Sequence, residues 1–527
     1  MIHATVAKSM IIIFHQYIKI MNYIYQSFFS KVVVIWRNNG VCMSLNNNDQ
    51  APLLSNKTAK ISLFGLVMLM TGAVDGVSNL PSIAIFGEQL VFFFIVASLL
   101  FLLPTGLVSA ELCKQFPNEG GVYVWSNKAL GGSFAAFTIW LQWINTMVWF
   151  PTCLTTLVGT LAYLIDPALS HHPVYLVTAS LSVFWMMTLL NLTGVKNSSK
   201  IAALATTFGM VLPMLLIIGL SIAWLMFEKP LAIHLTHAAI LPHLASEGTW
   251  TSLTAIITSF LGMELATAHV KKIKNAQHVF PKALMIAIGI IILTMGFGSL
   301  SVAMVIPHHN IVLVTGSIQA FQAIFVGFHV QWLEYVLGVM LLFGSLGAMV
   351  NWLISPAAGL AETANNNYLP KKLAAENKHG VPSKILLAQA VVVTLISSAF
   401  FLMPSINGSY WLLLDLSTEL YVAMYVLMFI AAFVILSKSE KIFVIPGGKK
   451  IAMAICVLGL IGCIITFIVG FFPPSNVNVG SHWHYISLFS GGFLLMCSPA
   501  ILLKYYYQYQ KKLKLFEKAG ENILLAK

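Results

Sequence analysis

The chain has 527 residues, of which 58% are hydrophobic and only 9% charged, with a formal net charge of +12. A soluble domain of ordinary composition carries about 25% charged residues, so a soluble globular enzyme or binding module is excluded and a polytopic helical membrane protein is indicated. The basic excess lies in short lysine loops between apolar runs, a pattern of membrane topology that removes nucleic acid as its explanation.

Residues 1–42 form an extension. The stretch "MIIIFHQYIKIMNYIYQSFF" (10–29) is apolar but interrupted by His15, Gln16, Lys19, Asn22 and Gln26. It lacks the small-residue cleavage site of a signal peptide. One reading is a helix lying in the membrane interface. The other is that Met43, which opens the polar leader "MSLNNNDQAPLLSNKTAK", is the true start. Residues 1–61 are thus an N-terminal extension and leader.

Twelve apolar spans follow: 62–86, 90–113, 133–164, 173–194, 199–227, 250–270, 282–306, 329–364, 384–404, 410–436, 450–472 and 484–507. A helix of about 20 residues crosses a hydrocarbon core. A lysine-rich tail, 508–527, ends the chain. Of the 25 lysines from Met43 onward, 24 fall on the leader's side and only Lys229 on the other. The positive-inside rule places both termini in the cytoplasm and agrees with an even span count.

Ten of the 15 histidines, among them His234, His237, His308 and His309, lie in predicted outer loops. Three readings stand: polar filler, sensors of an acidic exterior, and a metal pair at His234 and His237, for which no third ligand is implied. The six cysteines have no metal-ligand spacing and read as small packing residues. No cofactor or metal is expected. "VIPGGKK" (444–450) lacks the spacing of a phosphate loop. No nucleophile–base constellation is visible, so the chain is not read as an enzyme.

Spans 1–5 (62–227) begin inside and end outside, whereas spans 6–10 (250–436) do the reverse; 450–507 adds spans 11 and 12. Two sets of five with opposite polarity are what an inverted repeat requires, and an interruption at matching places in the two halves points to a transporter site. Span 1 is interrupted by "TGAVDGVSNLP" (71–81), and span 6 carries Gly262 and Glu264 mid-span. A break releases backbone groups that a helix would consume, and in lipid these must face protein or water. Ser78 and Asn79 are good N-cap types ahead of Pro81, so the outer half-helix should start near 79 and present N–H groups to a carboxylate. The carbonyl ends of the two other half-helices suit an ammonium group or a cation. Together they suit an α-amino-acid zwitterion.

An intramembrane carboxylate is a functional candidate by default. Glu264 reads as a proton carrier or substrate contact, with a structural bond to the unwound backbone as the alternative. Asp75 reads as a substrate contact or as the cap of the broken helix. Asp415 and Glu419 lie four apart on one face of span 10, with Glu419 the deeper. Gly76 would answer a demand for a special backbone conformation or a close approach.

These stretches resemble the amino acid–polyamine–organocation transporters, and within them the bacterial glutamate/GABA antiporters. The resemblance is carried by "LVFFF" (90–94), "FLLPTGLVSAEL" (101–112), "GGVYVWSNKALG" (120–131) and "SFLGMELATAHV" (259–270). It continues in "LSVAMVIP" (300–307), "NWLISPAAGL" (351–360), "VIPGGK" (444–449) and "GFFPPSN" (470–476). It implies an all-α LeuT-type fold with a 5+5 inverted repeat and broken helices 1 and 6. It also implies a bacterial inner-membrane location and exchange of an amino acid, often for its decarboxylated amine. In this resemblance Glu264 is similar to the family's span-6 glutamate, Trp352 to its span-8 gate, and Tyr421 and Tyr425 to its paired span-10 tyrosines. "SNLP" (78–81) differs from the "YEYP" of the glutamate/GABA members. "VDGVSNLP" is more similar to a sister group from bacteria living inside host cells. The stretch 508–527 is shorter than the plugging tail of some members.

The expectation is a secondary amino-acid antiporter working by alternating access, with small amino acids or amines as cargo. Its expected substrate-binding residues are Asp75, Gly76, Ser78, Asn79, Gly262, Glu264, Trp352, Glu419, Tyr421 and Tyr425. The alternatives are proton-coupled uptake of an amino acid or polyamine, and a sensor or channel on the same fold. The lipid bilayer is the expected surrounding and nucleic acid is no partner.

Overall fold

The computed structural model describes residues 61–525 apart from 117–120, 194–203, 234–235, 237–239, 243–249, 274, 366–368, 441–442, 446 and 475–476. Met43, His234, His237 and His243 lie outside the described residues. Among those described there is no strand, only an isolated parallel bridge between Ile61 and Ile273 that ties the start of span 1 to the end of span 6.

Among the described residues, eleven helices are long and apolar enough to cross a membrane. They match the predicted spans except the sixth, whose apolar helical stretch, Thr251–Thr267, is too short. The count of twelve therefore rests on one interrupted element. Large apolar side chains such as Phe64, Leu189, Val339, Leu395, Ile468 and Leu494 are exposed on the outside, as lipid-facing positions require.

Span 1 shows how local chemistry breaks a helix. Ser62 caps its start, the side-chain Oγ accepting from the Gly65 N–H at 3.1 Å. The helix Leu63–Val74 stops at Asp75, whose own N–H donates to the Thr71 carbonyl at 2.7 Å. Gly76 is extended, Val77–Asn79 makes one 3-10 turn, and Leu80–Ala84 is helical again with Pro81 in its first turn. Proline suits that position because it has no N–H to leave orphaned. The predicted start near 79 is correct, but the Asn79 side chain caps nothing. Instead its carbonyl accepts from Ser82 Oγ at 2.8 Å.

Span 6 breaks differently. Thr251–Thr258 is helical, and Gly262 sits at φ +103° before a 3-10 stretch, Met263–Lys272. That φ belongs to the region glycine alone enters readily.

Two short helices went unread in the sequence. Val122–Leu130 is flanked by Gly121 (φ +104°) and Gly131 (φ +89°), and Gly316–Gly327 lies between spans 7 and 8. Span 12 runs on as helix to Leu525, into the lysine-rich tail. His308 and His309 form an exposed turn with their rings edge to face, 5.4 Å between centroids.

Span 3 (Gly132–Ile165) and span 10 (Ile406–Lys438) pack against each other at the centre. Spans 5 and 8 touch backbone to backbone at Gly209 and Gly344, where a Cβ on either would land on the other chain segment. Small residues permit such close approach between helices in lipid. π-helical turns interrupt spans 5 (Thr207–Val211) and 7 (Ile292–Phe297). Such turns often mark functional positions, and both border the site described next.

Candidate functional site

The two breaks meet at a cavity of about 60 Å³. At about 10–15 Å³ per water that is room for a handful of waters, the scale of a small solute. Residues 72–79 of span 1 form one wall, with Thr258 and Leu261 of span 6 beside them. Span 3 adds Asn145, Trp149 and Cys153, span 8 adds Trp352, and span 10 adds Ser417 and Tyr421. Gly209 and Met210, inside the π turn of span 5, and Ser345 and Ala348 of span 8 complete it.

The unwound segment is held from outside. Ser317 Oγ donates to the Val77 carbonyl at 2.6 Å and the Tyr410 hydroxyl to that of Ser78 at 3.3 Å. Asp75 is buried, 3% exposed. Its Oδ2 accepts from Thr294 Oγ1 at 2.7 Å, while Oδ1 has no partner among the described residues. Thr294 stands in the π turn of span 7, which links that irregularity to the break.

An aromatic wall closes one side. Trp149 and Trp352 lie 5.3 Å apart between ring centroids, and Trp352 meets Tyr421 edge-on at 6.2 Å. Gly262 fits beneath Trp352. A Cβ there would stand 3.1 Å from the Trp352 ring and 2.7 Å from the Ala73 carbonyl.

Glu264 lies behind this wall and is not among the cavity residues. It is 1% exposed. One carboxylate oxygen accepts from the Tyr421 hydroxyl and from Gln142 Nε2, the latter at 3.1 Å, and the other from the Tyr425 hydroxyl. The Gly262 N–H donates to the Tyr425 oxygen at 3.0 Å. The acid thus fixes both tyrosines, and Tyr425 in turn holds the span-6 turn.

Six of the ten expected residues line the cavity: Asp75, Gly76, Ser78, Asn79, Trp352 and Tyr421. Gly262, Glu264 and Tyr425 are one layer behind. Glu419 is elsewhere. Its carboxylate packs against Gly470 at the end of span 11, and both oxygens lack a partner among the described residues. Residues 419 and 421 are about 200° apart around a helix, so one helix cannot send both to one site. Asp415 shares the Glu419 face and accepts from the Tyr485 hydroxyl of span 12 at 2.5 Å.

Gly76 also needs correcting. Its φ of −158° is extended backbone open to any residue. An added Cβ would make only ordinary contacts, 3.5 Å from Ser78 and Asn79. The strained glycine of the site is Gly262.

Gln142, Asn145, Ser417 and Thr294 were missed. Ser417 Oγ donates to Asn145 Oδ1 at 3.0 Å beside the cavity. The signal was present in "WLQWINTMVW" (140–149), where an amide pair interrupts an otherwise apolar span. Cys153, read as packing, lines the cavity. The described cysteines are buried and none is in a disulfide.

The family model for amino acid permeases matches residues 61–494. The chain belongs to the amino acid permease family. It is 37% identical to an uncharacterized transporter of Legionella pneumophila subsp. pneumophila over 82% of this chain and 94% of that protein. It is 29% identical to a glutamate/gamma-aminobutyrate antiporter of Lactococcus lactis subsp. lactis over 79% and 85%. A probable agmatine/putrescine antiporter of the same organism is 24% identical over 80% and 90%. Family membership and the apolar helices make the permease a multi-pass membrane protein.

Proposed function

We propose that this permease is a secondary transporter that exchanges small amino acids or amines across the bacterial inner membrane by alternating access, with both termini cytoplasmic. The observation that carries the reading is the meeting of two interrupted spans at one small cavity deep within the helices. Irregular backbone at that depth is tolerated where it is buried in protein or lines a water-filled space. The helix ending at Val74 and the helix ending at Thr258 both bring their carbonyl ends to the cavity. A helix C-terminus carries partial negative charge, and these ends suit a substrate ammonium group.

The relatives named as antiporters support exchange over one-way uptake. The segregation of lysines supports the orientation. Glu264 we assign as a positioning residue. Three donors already occupy it, and Tyr421 separates it from the cavity. The aromatic wall of Trp149, Trp352 and Tyr421 is the inner gate whose opening would admit or release cargo.

The test is counterflow in proteoliposomes loaded with one amino acid or amine and offered labelled substrate outside, at two pH values. Exchange that requires an internal counter-substrate is expected. Flux that proceeds equally without one would replace the antiport reading by a uniporter or channel. Binding at the cavity has its own readout: cargo should protect Cys153 from a small membrane-permeant thiol reagent.

A further inference from the structure

Resting on the transport reading above, we infer that the cavity is an organic-cation receptor: its cargo presents a cationic nitrogen to Asp75, and amines or basic amino acids are preferred over dicarboxylic ones. Three observations give the cavity a negative character. Among the described residues, Asp75 is the only charged residue lining it, and no lysine, arginine or histidine stands in the lining. One Asp75 oxygen is taken by Thr294, while the other is buried with no well-aligned hydrogen-bond partner among the described residues, the Gly76 backbone N–H being the only other donor near the carboxylate among them. Two helices, of 12 and 8 residues, end at this wall and add the negative ends of their dipoles.

The feature of opposite sign is weak. The outer half-helix of span 1, Leu80–Ala84, is five residues long. The remaining polar lining residues, among them Asn79, Asn145, Thr258, Ser417 and Tyr421, are neutral hydrogen-bonding residues. They orient a cargo and supply no countercharge.

An ionised carboxylate buried without compensation is costly. An ammonium of the cargo removes that cost by pairing with Asp75. A second carboxylate on the cargo would add to it, since like charges in a poorly solvated site repel strongly. Discrimination by charge therefore follows from the wall itself, with the aliphatic part of the cargo left to the aromatic side.

The experiment uses the full chain in proteoliposomes and in detergent. Counterflow with lysine, ornithine and putrescine should exceed that with glutamate and aspartate at least tenfold. Asp75→Asn keeps the shape and removes the charge, and it should reduce this ratio at least tenfold. Glutamate exchanged as well as lysine, or an Asp75→Asn protein that keeps the wild-type ratio, overturns the inference and leaves the exchanger standing. Absence of exchange for every solute sinks the transport reading instead. Thermal melting then still decides: putrescine and lysine should raise the wild-type Tm more than glutamate does, and equal shifts overturn the cation preference. If Asp75→Asn fails to fold, the wild-type order of substrates alone decides the cation preference.

Discussion

Span 10 carries two pairs of groups on opposite sides, and they are built by opposite rules. Toward the cavity, Tyr421 and Tyr425 clasp Glu264, and Gln142 adds a third donor to the same carboxylate. Toward spans 11 and 12, Glu419 has no donor on either oxygen among the described residues, and Asp415 has one from Tyr485. Both regions are fully buried. Burial and residue type therefore do not separate an acid that organises its surroundings from one that does not. The number of donors aimed at it does. Where donors converge, removing the acid strands them; where none do, removing the charge strands nothing.

The largest expected effect is at the clasped acid. Glu264→Ala would leave two tyrosine hydroxyls and an amide buried without their acceptor. Each orphaned group costs about 1–3 kcal/mol, so a loss of several kcal/mol and of all exchange is expected. Melting in detergent and counterflow measure the two. Glu264→Gln keeps one acceptor oxygen and should fall between Ala and wild type. A Glu264→Ala protein as stable as wild type would show that the clasp holds nothing in place.

Next come the two glycines of the breaks. Gly262→Ala puts a methyl group 2.7 Å from the Ala73 carbonyl at a φ of +103°, which a side chain tolerates poorly. Exchange should fall at least tenfold while the protein still inserts. Gly76→Ala meets only ordinary contacts and should retain most of its activity. The opposite order would mean that the break in span 1, not that in span 6, is where backbone geometry limits function.

Smaller still are the hydroxyl deletions. Tyr425→Phe frees one Glu264 oxygen and also the Gly262 N–H. Tyr421→Phe removes a bond to an oxygen that Gln142 still serves, and a long 3.5 Å bond from Gln142 itself. Tyr425→Phe should cost about 1 kcal/mol more in stability. Tyr421→Phe should instead raise KM, since losing the bond to Glu264 unfastens a residue that borders the cavity. Equal effects on stability would remove the structural distinction between the two tyrosines.

Much of this arrangement was legible in the sequence. The spans were, because runs such as "LVFFFIVASLLFLLP" (90–104) have no other home. The breaks were, because Asp75, Gly76 and Pro81 cannot all continue a helix in lipid. The sidedness of span 10 was within reach from spacing, since residues 419 and 421 cannot share a face, yet hydropathy alone rates both as deep. The positive φ of Gly262 was not legible. A mid-span glycine reads the same whether it serves a turn, a close approach or neither, and the difference lies in the Ala73 carbonyl contributed by another span. The helices Val122–Leu130 and Gly316–Gly327 were missed because they are too short to read as spans, and tertiary packing rather than length makes them helical.

The smallest expected effect, and the sharpest use of the contrast, is on the far side of span 10. Glu419→Gln changes an acid that no described donor serves, so no hydrogen bond is lost. An uncompensated buried charge costs free energy, and its removal is expected to leave the protein as stable as before or more so. Asp415 lies one turn away on the same face, and two carboxylates so placed disfavour each other's charge, which strengthens the same expectation. Exchange rate and substrate order should match wild type, because Glu419 lies on the side of the helix away from the cavity. Asp415→Asn should cost a little more, since Tyr485 loses its anionic acceptor and keeps a neutral one. A Glu419→Gln protein that folds normally but loses exchange would break the comparison outright: the unserved acid would then act in transport, and donor count would no longer tell the two regions apart.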